Sequence, residues 1–322
     1  MTEPSGGTLG ELGEFALIDR LTNDVSGNEF VLLGPGDDTA IVAAPSGNVI
    51  VTTDVLIEGT HFRRDWSTPV DIGRKAAAAS LADIAAMGAI PTGLLVGFGG
   101  PADLPVSWAV QCTAGLAEEA AGQGAAIVGG DVVSSPNIVL SVTALGDLQG
   151  RAPVLRSGAK PGDRIAIAGR FGWAAAGLAV LSRGFRSPKA LVDAHRFPIP
   201  PYAAGPQAAI AGASSMIDVS DGLVADARHI AAASGVVLSI STEGWVVPDP
   251  IHAAASAYNV DPHIWMLTGG EDHALLATFA EGTVIPDAFT VIGVVEHLGD
   301  HGAGVLVDGK WAEGKGGHEH FG

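Results

Sequence analysis

The chain has 322 residues, 47% of them hydrophobic but only 6% aromatic, and a formal net charge of −18. That length suits two domains of about 150 residues each, with cores built mainly from Ala, Val, Leu and Ile. So acidic a surface repels phosphate backbones and anionic lipid, which excludes nucleic acid and membrane as expected partners. One cysteine, Cys112, excludes an intrachain disulfide and a cysteine-rich metal site.

In chain order, residues 11–22 have helical spacing, and Phe30–Leu33 reads as a short strand running into Gly34-Pro35-Gly36-Asp37-Asp38. Ala40–Ala44 and Asn48–Thr53 read as strands, Val70–Met87 as a helix stopped by Gly88, and Gly93–Gly99 as a strand. Ser107–Gln123 is a predicted helix, Ala125–Val128 a strand ending in Gly129-Gly130-Asp131, and Ile138–Leu145 a further strand. The polar, Gly- and Pro-containing stretch 149–163 marks a domain boundary, giving domains 1–150 and 151–322. In the second domain Arg164–Ala168, Met216–Val219, Val236–Ile240, Ala274–Phe279 and Thr290–Val295 are predicted strands, and Gly172–Ser182 and Leu223–Ser234 helices. This is a mixed α+β pattern in two units rather than one doubly wound sheet. No stretch offers about 20 uninterrupted apolar residues for a membrane span. Met1–Gly10 lacks the regions of a secretory signal, so a cytoplasmic location is expected.

One pattern recurs: an apolar strand runs out into small residues and an aspartate follows. It occurs at Leu32–Asp38, Val49–Asp54, Ile127–Asp131 and Met216–Asp221, and Asp83 adds a carboxylate inside an apolar helix. Each alone is ordinary turn chemistry. Together they are a set of like charges that repel unless cations lie between them. Magnesium prefers such oxygen ligands and is usually held by a few carboxylates plus substrate phosphates. The usual nucleotide signatures are missing: Gly172–Ala179 has P-loop glycine spacing but no lysine, and no dinucleotide fingerprint or protein-kinase set is present. Lys75, Arg156 and Lys160 stand out among few basic residues, and Arg156 is the better phosphate candidate because guanidinium binds in a bidentate way. Cys112 reads as a packed small hydrophobe.

The ordered set Gly36-Asp37-Asp38, Thr52-Thr53-Asp54 with His61, Ser80–Gly88, Gly129-Gly130-Asp131, Arg156–Asp163, Asp218–Leu223, Gly269–Asp272 and the closing His320-Phe321 resembles the thiamine-monophosphate kinases from end to end. The resemblance implies a fold shared with aminoimidazole ribonucleotide synthetase and selenophosphate synthetase, an N-terminal ATP-binding domain that pairs with that of a second copy, and a homodimer. It implies transfer of the ATP γ-phosphate to thiamine monophosphate, giving thiamine diphosphate and ADP. By the same resemblance Asp38, Thr52, Thr53, Asp54, Asp83, Asp131, Asp218 and Asp221 are expected metal ligands for several magnesium ions, with Asp37 the uncertain member of its pair. Gly130, Asp131, Arg156 and Ser220 are expected ATP contacts, and His61 and Glu271 substrate contacts. His318 stands where the family often carries Tyr or Trp, so Trp311 and His318 are both candidates beside the thiamine ring. Selenophosphate synthetases need a reactive cysteine or selenocysteine in a Gly-rich N-terminal segment, and hydrogenase-maturation relatives end in cysteine; this chain has neither. The alternatives are an ATP-dependent cyclo-ligase of the aminoimidazole ribonucleotide synthetase type and a non-catalytic nucleotide-sensing protein. No covalent enzyme nucleophile is expected, because a phosphate acceptor with a second pKa of about 6 is already largely ionised near neutrality.

Overall fold

A computed structural model describes residues 7–23, 27–34, 40–299, 301–314 and 316–318. The chain divides into two compact units, Met1–Ile84 with Ile90–Gly150, and Ala85–Ala89 with Arg151–Gly322.

The first unit contains α1 (Leu9–Leu12), α2 (Glu14–Thr22), β1 (Val31–Leu33), β2 (Ile41–Val42), β3 (Ile50–Ile57), α3 (Pro69–Ala86, whose last two residues group with the second unit), β4 (Ile90–Gly100), α4 (Val106–Gly122), β5 (Ala126–Ser134) and β6 (Val139–Asp147). The helix expected over 11–22 is broken at Gly13, where φ is +81°. Strands β3, β6, β4 and β5 form a four-stranded sheet in that order, antiparallel except for the β4/β5 pair. On α3, Ala76, Ala77, Ala78, Leu81, Ala82 and Ile84 are fully buried. Each large apolar side chain withdrawn from water there contributes about 1.5–3 kcal/mol. Cys112 is buried in α4, and burial pushes its thiol pKa up, consistent with a packing role.

Two strands run past the aspartates expected at their ends. β3 continues to Ile57 and β5 to Ser134, so Asp54 and Asp131 lie within strands. Gly130 is mid-strand rather than in a turn: a Cβ there would fall 2.0 Å from the Val96 carbonyl oxygen, so the close approach of β4 requires glycine.

The second unit contains β7 (Arg164–Ala168), α5 (Trp173–Ser182), α6 (Lys189–Arg196), α7 (Ala204–Ala211), β8 (Ala213–Val219), α8 (Leu223–Ser234), β9 (Val237–Ile240), α9 (Asp249–Tyr258), α10 (Pro262–Thr268), β10 (Ala274–Phe279), β11 (Phe289–Glu296), β12 (Gly304–Val307) and β13 (Lys310–Trp311). Its seven strands form one sheet in the order β13-β12-β9-β11-β7-β10-β8. Every residue of β10 is buried, as expected of a strand covered on both faces. Ile165, Ile217, Leu238 and Leu276 pack with Leu223, Ala227 and Ile230 of α8, fixing the helix that follows the Ser220-Asp221 turn.

Candidate active site

In the first unit the two-residue period of β3 puts Thr52 and Asp54 on one face, and the helical period of α3 puts Ser80 and Asp83 on one side. The two elements exchange hydrogen bonds. The Thr52 hydroxyl donates to Asp83 Oδ2 at 2.6 Å, and the Ser80 hydroxyl donates to Asp54 Oδ2 at 2.7 Å. Ser80 Oγ is also 3.0 Å from the Val142 carbonyl, and the residue is fully buried. Hydroxyl donors thus offset the partial burial of both carboxylates. The other oxygen of Asp54 has no protein hydrogen bond among the described residues.

Thr53 points to the opposite face, where its hydroxyl accepts from Thr143 Oγ1 at 3.0 Å. Asp131 shares that exposed face, in register with Gly97, Ser141 and Val55. It sits three strands from β3, roughly 14 Å at the usual strand spacing. The expected ligands of this unit therefore divide into Thr52, Asp54 and Asp83 on the α3 side, and Thr53 and Asp131 on the exposed side. Among the described residues no group of three or more His, Cys, Asp or Glu side chains is placed to hold a metal ion. Asp38, with Asp37, lies outside the described residues.

His61 is half-buried in the turn after β3, and its Nδ1 accepts the Ile57 N–H at 3.0 Å. Lys75 is not a solvent-exposed lysine: it is 4% exposed and its Nζ donates to the His61 carbonyl at 3.0 Å.

In the second unit Asp218, next to last in β8, is almost fully buried, with its Oδ2 3.1 Å from His273 Nδ1. Ser220 and Asp221 follow in the turn before α8. Asp226, in the first turns of α8, accepts the N–H groups of Asp221 and Gly222, both at 3.0 Å. Its pKa is pushed up to about 7, by burial first and then by the charge of Asp218. Glu271 adopts φ +67° and donates its N–H to the Ser220 carbonyl at 2.7 Å, while its Oε2 lies 3.5 Å from His195 Nδ1. Asp272, fully buried, accepts the Ala174 N–H at 2.9 Å at the start of α5, and burial pushes its pKa up to about 7. Asp226, His273 and His195 escaped the reading of the sequence, and Asp272 stood in the Gly269–Asp272 motif without a role. An aspartate in the first turns of a helix was the available signal for Asp226.

Arg156 is exposed, and its guanidinium has no hydrogen-bond partner among the described residues. Its loop is pinned to the end of α8: Ser234 Oγ donates to the Arg156 carbonyl at 2.9 Å and accepts from Gly158 and Ala159 N–H at 3.0 and 3.1 Å. Trp311 stands on β13, at the opposite edge of the sheet from β8, with its ring edge-on to His301 at 5.4 Å. That position separates it from Asp218 by the breadth of the sheet. His318 does reach the turn, its N–H donating to the Asp221 carbonyl at 3.0 Å.

Residues 36–148 match the family "AIR synthase related protein, N-terminal domain". The fold recurs in solved structures: hydrogenase maturation protein HypE in complex with ATP superposes with a TM-score of 0.72 over 93% of this chain and 92% of that one, at 21% identity, a likeness of fold. The class is therefore that of the two-unit AIR synthase-like proteins. A complex of AaThiL with AMPPCP and TMP superposes with a TM-score of 0.79 over 100% of both chains at 34% identity. Thiamine-monophosphate kinase of Mycobacterium tuberculosis is 51% identical over 98% of this chain and 93% of its own length. That of Corynebacterium glutamicum is 38% identical over 90% and 88%. The chain belongs to the thiamine-monophosphate kinase family, and its activity is that of a phosphotransferase with a phosphate group as acceptor.

Proposed function

We propose that the protein transfers the γ-phosphate of ATP directly to thiamine monophosphate at a magnesium-dependent site built on its carboxylates. The observation that carries this reading is the reciprocal pairing of Thr52 with Asp83 and Ser80 with Asp54, which holds two carboxylates beside one strand and one helix. Carboxylate and hydroxyl oxygens are the hard donors magnesium prefers, so the residues fit the ion. Thr52, Asp54 and Asp83 would hold it in the first unit, with Thr53, Asp131 and Asp38 as further ligands, and Asp218 and Asp221 in the second. Bound magnesium supplies neutralisation of the phosphate charges.

The protein's own part is to bind and orient. Gly130, Asp131, Ser220 and the exposed guanidinium of Arg156 are the ATP contacts, and Arg156 suits a phosphate in a bidentate way. His61, Glu271 and His318 are the substrate contacts; Trp311 is the less favoured ring partner, given its place at the far edge of the sheet. No side chain needs to act as a nucleophile or strong base, because the acceptor oxygen is already ionised and positioning lowers the barrier.

Two copies would pair through the exposed sheet face of the first unit. Val51, Val55, Leu95 and Val133 stand 38–63% exposed there, and a second copy would cover them. A lone buried cysteine fits a reducing, cytoplasmic setting, and among the described residues no helix is long and apolar enough to cross a membrane. The test is ADP release with and without thiamine monophosphate, across a magnesium titration. ADP formation that requires formylglycinamidine ribonucleotide instead would identify a cyclo-ligase and overturn the reading.

A further inference from the structure

After β13 the chain runs along one side of α8. Asp221, Val224, Ala225 and Arg228 fall on that side at positions three, four and seven apart. Arg228 Nη2 donates to the Ala312 carbonyl at 2.5 Å and its Nη1 to the Gly314 carbonyl at 2.8 Å. Further along, the His318 N–H reaches the Asp221 carbonyl at 3.0 Å. Between these anchors the approach is close: a Cβ at Gly316 would lie 2.8 Å from Val224 Cγ1, and one at Gly317 would lie 2.5 Å from the Asp221 carbonyl oxygen and 2.7 Å from Ala225 Cβ. Here one guanidinium holds two carbonyls, and two glycines let the backbone lie flat against the helix until it meets the Ser220-Asp221 turn.

We propose that Arg228 is a positioning residue for the phosphorylation of thiamine monophosphate: it clamps the tail to α8 so that His318 is presented at the Ser220-Asp221 turn. It acts through the tail and touches no substrate itself. The inference rests on the reading that this turn and His318 belong to the substrate site.

The test compares Arg228→Met and Arg228→Lys in the full chain by steady-state kinetics and by hydrogen exchange at His318. Arg228→Met is expected to raise KM for thiamine monophosphate about tenfold while leaving KM for ATP within about twofold, and to speed exchange of the His318 amide. Arg228→Lys, which can still reach one carbonyl, should recover part of the loss. Gly317→Val evicts the tail by direct clash, so adding Arg228→Met to it should change KM no further. Unchanged His318 exchange in Arg228→Met, lost protection with a normal KM, or additive effects in the double variant would each overturn the clamp. Asp221→Asn separates this failure from that of the underlying reading. Retained turnover in Asp221→Asn removes the turn from the site, whereas lost turnover there with a normal KM in Arg228→Met sinks the clamp alone.

Discussion

Thr52 and Asp83 meet hydroxyl to carboxylate at 2.6 Å, one from a strand and one from a helix, and this bond orients the Asp83 carboxylate beside Asp54. Loss of a hydrogen bond to a charged acceptor removes about 1.5–3 kcal/mol, reduced here because Asp83 is only partly buried. Thr52→Val should therefore lower the unfolding midpoint modestly, lower turnover at least about tenfold, and raise the magnesium concentration for half-maximal rate. Thr52→Ser should keep most activity. A Thr52→Val enzyme with wild-type magnesium dependence would show that the bond serves packing alone.

Asp54→Asn keeps an acceptor for the Ser80 hydroxyl and removes the charge. Turnover should be abolished while urea unfolding remains cooperative. Asp131→Asn should do the same from the opposite face of the sheet. Near-normal activity of either variant at saturating magnesium would remove that residue from the metal-binding set.

The first unit was largely legible because α4 and β6 each bury one face at the helical or strand period, while α3 and β4 are apolar runs buried through most of their length. What misled was the small-residue runs. Gly129-Gly130-Asp131 and Thr52-Thr53-Asp54 read as strand ends, yet pairing with β4 and β6 carries both strands through them. Strand alternation then separates Thr53 from Thr52 and Asp54, which a list of adjacent motif residues conceals. In the second unit α6, α7, α9, α10, β12 and β13 went unread because they are short and flanked by Pro or Gly, although Asp261 before Pro262 is a helix-start signal whose side chain accepts the His263 N–H. Asp226 and Asp272 were invisible as buried carboxylates, since burial depends on contacts distant in sequence, such as Asp272 with Ala174.

His61 accepts the Ile57 N–H through Nδ1, which leaves Nε2 to carry the ring proton. His61→Ala should raise KM for thiamine monophosphate several-fold more than KM for ATP. Equal loss of both would take His61 out of substrate recognition and leave it as a brace for the turn after β3.

Val55 is 45% exposed on the uncovered face of the first unit's sheet, in register with Ser141, Gly97 and Asp131. Val55→Glu puts a charge on that face, on the edge strand β3. If two copies pair there, sedimentation should show the variant as monomer at concentrations where the parent chain is dimeric. A variant that stays dimeric would place the contact elsewhere.

Asp272 makes stability depend on pH in a predictable direction. Its pKa in the fold is pushed up to about 7 from an ordinary 3.8, chiefly by burial, with the Ala174 N–H opposing. Between those values the folded chain holds a proton that the unfolded chain has lost, so stability from this group is greatest near pH 4, falls as pH rises towards 7, and is level above it. The full ionisation penalty is on the order of 4 kcal/mol. Asp272→Asn removes the titration and keeps an acceptor for Ala174, but its amide nitrogen occupies the place of Oδ2, which is buried without a hydrogen-bond partner. That donor costs about 1–3 kcal/mol. Urea unfolding should therefore find the variant less stable than the parent at pH 5, with the gap closing or reversing by pH 8.5. A gap that stays constant across that range would show that Asp272 does not titrate there.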